Sequence, residues 1–190
     1  MSGERIRSFV AVDLDDPDIR SRITKAQEDL ERTGASLKTV HADIMHLTLR
    51  FLGEIPQPTV QRVIEAMDGV RFHPFEVEFS GVGVFPNLRR ISVVWVGIKR
   101  GQDQLVDIFR QLEPKLRQIG LAPDSKGFSP HMTVARVRSG VNKDELAKCV
   151  ESMREVEFGS MKVTTVRLKK SNLTPRGPIY TTIHEVNASS

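Results

Sequence analysis

The chain has 190 residues, 39% of them apolar, with 28 Lys and Arg against 24 Asp and Glu for a formal net charge of +4. That length and apolar content suit one globular unit with a sizeable core and exclude a disordered or low-complexity chain. The single cysteine, Cys149, excludes an intramolecular disulfide and a Cys-based zinc site and fits a reducing, cytoplasmic setting, and the N-terminus lacks the long apolar stretch of a signal peptide or membrane span.

In chain order, residues 7–13 read as a strand and 17–33 as a helix, with Asp16 as N-cap before Pro17 and Gly34 as the stop. Residues 46–52 form a second strand and 57–68 a helix ended by Gly69. The alternation in FEVEFSG predicts a strand over 75–81 with Phe75, Val77 and Phe79 inward. The order then repeats: strand 91–98, helix 102–119 ended by Gly120, strand 131–137, helix 142–153, strand 161–168 and a last strand at 178–185. Two such sets predict an α+β or α/β fold with a sheet from each half. Nothing divides the sets, so one unit is expected over residues 1–190, ending in a polar NASS tail.

Two of these strands carry the same pattern. His46-Leu47-Thr48-Leu49 and His131-Met132-Thr133-Val134 both read His, apolar, Thr, apolar. A strand's period of two puts His and Thr on one face and the apolar pair on the other. One copy is within reach of chance, but two in matching frames are not. The motifs lie 85 positions apart, as do Asn87 and Asn172, Trp95 and Tyr180, and the strand residues Phe9, Val94 and Ile179. That period is too long for a solenoid and indicates an internally duplicated domain, each half contributing one HxTx strand.

The chemistry follows from the groups. Imidazole exchanges protons near neutrality, so two histidines facing one cleft can act as general acid and general base in one turnover, and threonine hydroxyls beside them can hold charged oxygens. A phosphodiester suits this arrangement, because its cleavage needs a proton taken from the nucleophile and one given to the leaving oxygen. Metal chemistry would need further ligands near the pair; Asp43 precedes the first motif, and nothing equivalent precedes the second. Basic residues bordering the repeated elements, among them Arg89, Arg90, Lys99, Arg100, Arg136, Arg138, Arg167, Lys169, Lys170 and Arg176, suggest a positive surface around an anionic ligand.

The HxTx motifs, RSFVAV near the start, GVFPN before the Trp-containing strand and SNLTPRGPIY near the end together resemble the 2H phosphoesterase superfamily, and within it the RNA 2',3'-cyclic phosphodiesterases, also described as 2'-5' RNA ligases. The resemblance implies a bilobal fold of two antiparallel-rich sheets flanked by helices around a central cleft. It implies opening of a 2',3'-cyclic phosphate RNA or oligonucleotide end to a 2'-phosphate, with 2'-5' ligation as the reverse. No metal or other cofactor is expected, and the chain is expected to act as a monomer away from membranes.

Carried over by residue, the resemblance makes His46 the proton donor and His131 the proton acceptor, with Thr48 and Thr133 holding non-bridging oxygens. The internal symmetry alone does not order the two histidines. Arg136 matches a phosphate-contacting position, although its odd spacing from His131 turns it away unless the strand bulges first. Phe51 stands in the same relation to His46 and is a candidate for stacking a base, its alternative being a core place beside Leu47 and Leu49. Of the other histidines, His41 reads as a surface-loop residue near the cleft, and His73 and His184 are poor candidates. Two rival functions remain: a relative acting on another cyclic or 2'-5' nucleotide, and a non-catalytic RNA-binding module.

Overall fold

The structure, a computed structural model, describes residues 4–190. Its strands are β1 (Arg5–Asp13), β2 (Leu37–Thr39), β3 (His46–Pro56), β4 (Phe75–Asn87), β5 (Arg90–Arg100), β6 (His131–Val137), β7 (Glu157–Val163), β8 (Thr165–Thr174) and β9 (Gly177–Asn187). Its helices are α1 (Pro17–Arg32), α2 (Gln57–Asp68), α3 (Gln102–Gln118) and α4 (Lys143–Ser152). Each helix matches its sequence expectation to within a residue at either end, because the caps carry the signal. Asp16 accepts from the Asp18 and Ile19 amides at 2.9 Å, and Gly34 and Gly120 take the left-handed φ that ends α1 and α3.

The strands form two antiparallel sheets, ordered β3-β1-β8-β9 and β2-β6-β5-β4-β7. The fold is therefore α+β and two-sheeted, as expected, but a sheet does not come from each half. β4, from the first half, pairs with β5, while β8, from the second, pairs with β1. The first half also lends β2 to β6. The helices cross as well: α1 follows β1 but packs on β6, β7 and α4, and α3 follows β5 but reaches β3 and α2. Buried apolar side chains run continuously through both sheets, including Val10, Leu168, Val94 and Met132, each contributing about 1.5–3 kcal/mol. Because the halves are interleaved, thermal unfolding followed by far-UV circular dichroism and by Trp95 fluorescence is expected to give one coincident transition; two resolved midpoints would show independent lobes.

Three local expectations are corrected. The strand over 161–168 is two strands on different sheets, divided at Thr164. Burial changes phase there, from Met161 and Val163 to Val166 and Leu168, so the chain turns over as it passes between lobes. The strand expected to stop at residue 81 continues to Asn87, past an irregular register between Phe79 and Val82. The repeat is also looser at the hairpin turns than a constant offset implies. Asn87 accepts from the Arg89 and Arg90 amides in the β4–β5 turn. In the β8–β9 turn the residue accepting the Arg176 amide is Thr174, not Asn172.

Candidate active site

β3 and β6 approach each other from opposite sheets and line one cleft of about 670 Å³. His46, Thr48, His131 and Thr133 all face it, as the alternation requires. Each strand then breaks step. In β3, Thr48 pairs with Ala11 and Arg50 with Val10, leaving Leu49 without an opposite residue. In β6, Thr133 pairs with Trp95 and Ala135 with Val94, leaving Val134 unpaired. These matched β-bulges reverse the side-chain parity. Arg136 and Phe51, both at odd spacing from their histidines, consequently line the cleft. Phe51 is 45% exposed and does not occupy the core beside Leu47 and Leu49. Its ring lies 4.7 Å from the Arg7 guanidinium.

The two imidazoles are held alike. His46 Nδ1 lies 2.8 Å from the Ile44 carbonyl, and His131 Nδ1 lies 2.7 Å from the Ser129 carbonyl. A carbonyl only accepts, so each Nδ1 carries hydrogen and each Nε2 is left to exchange a proton with a ligand. Aromatic rings fix the remaining freedom. Phe9 stacks on His46 at 4.7 Å and Tyr180 meets it edge-on at 5.3 Å. Phe85 meets His131 edge-on at 4.9 Å, with Trp95 at 6.3 Å. Trp95 and Tyr180, paired by the repeat, thus each lie against the motif histidine of their own lobe.

Charge is unevenly placed. Arg7, Lys38, Arg136 and Arg176 line the cleft against one carboxylate, Asp43. Of the other basic positions singled out above, Lys99 pairs with Glu78 and Glu157, Lys170 with Glu4, and Arg167 and Lys169 with Asp13. Asp13 stands opposite His46 in the β1–β3 register. Burial holds His46 below the ordinary histidine range, while the Ile44 hydrogen bond and the Asp13 charge work against that and Lys169 works with it. Burial pushes the Tyr180 hydroxyl up, with Arg136 and Arg7 acting in the other direction.

Arg7, Phe9, Leu173 and Tyr180 belong to the cleft although the HxTx motifs do not announce them. The one sequence signal for Arg7 and Phe9 is their shared face on RSFVAV. His41 is 76% exposed at the cleft mouth, beside Asp43, and His184 bonds Asp68 away from it. Among the described residues no group of three or more His, Cys, Asp or Glu is placed to hold a metal ion. Among the described residues no helix is long and apolar enough to cross a membrane.

Proteins named RNA 2',3'-cyclic phosphodiesterase from Aeropyrum pernix and Methanothermobacter thermautotrophicus are 39% and 38% identical, over 89% and 93% of this chain and 96% of each relative. A crystal structure from Thermus thermophilus superposes with a TM-score of 0.80 at 25% identity, covering 96% of this chain and 97% of that one. E. coli LigT complexed with 3'-AMP shares the fold, with a TM-score of 0.82 at 24% identity over 98% of this chain and 100% of that one. The model of the LigT-like phosphoesterases matches twice, over residues 12–95 and 96–180, once for each half of the duplication, and the chain belongs to that family.

Proposed function

We propose that this chain hydrolyses RNA 2',3'-cyclic phosphate ends to 2'-phosphate ends, with acid–base catalysis by its two motif histidines. The observation that carries this reading is the matched pair of Nδ1–carbonyl bonds, which leaves one Nε2 from each lobe at the same cleft. His131 Nε2 takes a proton from water as the water oxygen bonds to phosphorus. The P–O3' bond breaks, and protonated His46 Nε2 gives its proton to O3'. Thr48, Thr133 and Arg136 hold the non-bridging oxygens as charge builds on them, and Phe51 stacks the base. With a ribose 5'-hydroxyl in place of water as the nucleophile, the same steps in the same direction form a 2'-5' linkage. In this reading the chain works as a cytoplasmic monomer and needs no metal, because the two imidazoles supply both proton transfers.

The test is turnover of an RNA oligonucleotide ending in 2',3'-cyclic phosphate, with and without excess EDTA. Equal rates to a phosphatase-sensitive end are expected, and loss of turnover on chelation overturns the metal-free mechanism.

One observation favours the opposite order of roles: burial disfavours the protonated form of His46 before substrate arrives. An anionic phosphodiester beside the ring restores it, so the alkaline limb of kcat is expected at higher pH than that of kcat/KM. Lys169→Met removes a cation that holds His46 down, so its proton affinity rises; Asp13→Asn has the opposite sign. If His46 is the donor, activity falls as pH rises through its pKa, and K169M moves the alkaline limb of kcat/KM upward. Movement of the acidic limb instead would assign His46 as the base.

A further inference from the structure

Gln27 sits on the buried face of α1, among Ile19, Ile23, Ala26 and Leu30. It is 6% exposed and does not line the cleft. Its side-chain nitrogen donates to the Val40 and Val134 carbonyls, both at 2.8 Å, and the Val40 amide donates to the same Val134 oxygen at 2.9 Å. Two carbonyls demand two N–H donors from one neutral buried group, which a primary amide supplies and a carboxylate or an apolar side chain does not. Val134 is the bulged residue of β6, whose missing partner on β5 turns Arg136 into the cleft.

The second half repeats the device with other chemistry. Glu113 on α3 accepts from Arg50 Nε at 2.6 Å and from the Asp124 amide at 3.0 Å. Arg50, 8% exposed, follows the β3 bulge and also donates to the Phe51 carbonyl at 2.7 Å and to the Ala122 carbonyl. Each crossing helix therefore uses one polar side chain to tie the approach to its own HxTx strand to the bulge on the other. That the clamp recurs at the matching bulge, built from different residues, separates it from an incidental core hydrogen bond.

We propose that Gln27 is a positioning residue for Arg136, holding the Val134 bulge so that the guanidinium stays aimed at the reacting phosphate. This rests on the phosphate-contacting role given to Arg136 above. A register slip of one residue at the bulge would return Arg136 to the opposite face. Gln27 therefore acts on catalysis only through Arg136, although it touches neither substrate nor guanidinium.

The test is a double-mutant cycle on wild type, Gln27→Met, Arg136→Ala and the double variant, using the same cyclic-phosphate RNA. Methionine keeps the volume and removes both donors. Expected losses in kcat/KM are about tenfold for Q27M and about 100-fold for R136A, with the double variant within about twofold of R136A alone. Inorganic phosphate titrated into the same four proteins gives a readout free of turnover: Q27M weakens phosphate binding when Arg136 is present and leaves it unchanged in the R136A background. If Q27M shows no cooperative thermal transition, Gln27→Asn, which withdraws the amide by one methylene, takes its place. Losses that multiply, to about 1000-fold in the double variant, would overturn the proposal alone and leave Gln27 a stability residue. Wild-type turnover in R136A would remove the Arg136 reading and the proposal together.

Discussion

His46→Ala and His131→Ala are each expected to lower kcat for cyclic-phosphate hydrolysis by about 10²- to 10⁴-fold. In the proposed mechanism each imidazole moves one proton in the step that breaks the P–O3' bond. RNA binding should change by no more than about threefold, because Arg7, Lys38, Arg136 and Arg176 still line the cleft. The double variant is expected to fall little below the worse single one, since the two groups act in one step. Steady-state kinetics with direct measurement of RNA affinity checks both statements. Full turnover in either single variant would remove that histidine from its role.

The second large effect separates donor from acceptor. In a 2',3'-cyclic substrate whose bridging 3'-oxygen is replaced by sulfur, the departing thiolate needs no proton. On that analogue H46A is expected to recover to within about tenfold of wild type, while H131A stays about 10²-fold or more below it, since water must still lose a proton. Recovery of H131A and not of H46A would reverse the order. The near-identical anchoring of the rings, Nδ1 to Ile44 and Nδ1 to Ser129, shows why geometry alone leaves the order to resemblance and kinetics.

Much of this site is visible in the sequence because strand alternation and helix capping are local rules. His46, Thr48, His131 and Thr133 share a cleft as alternation requires, and Asp16, Gly34 and Gly120 bound their helices. The bulges are where alternation misleads. By parity alone Arg50 would join His46 and Thr48 in the cleft and Phe51 would enter the core. The Leu49 bulge exchanges them: Arg50 is buried against Glu113, and Phe51 is exposed beside Arg7. Strand exchange is hidden for a different reason. β4 and β8 have the same pattern whichever sheet receives them, and the phase change at Thr164 is the one local trace of the crossing. β2, at three residues, is too short for any periodicity to show.

In the proposed mechanism two fixed imidazoles on opposite sides of one phosphorus impose an in-line displacement of one particular ring oxygen. A 2',3'-cyclic phosphate has two leaving oxygens, O2' and O3', and only one of them can lie beside the donor while water lies beside the acceptor. The direct measurement is phosphorus NMR of the products formed from one defined RNA 2',3'-cyclic phosphate in EDTA. A single 2'-phosphomonoester is the expected product; a 3'-phosphate, a mixture of the two, or an unopened ring would overturn the proposed mechanism.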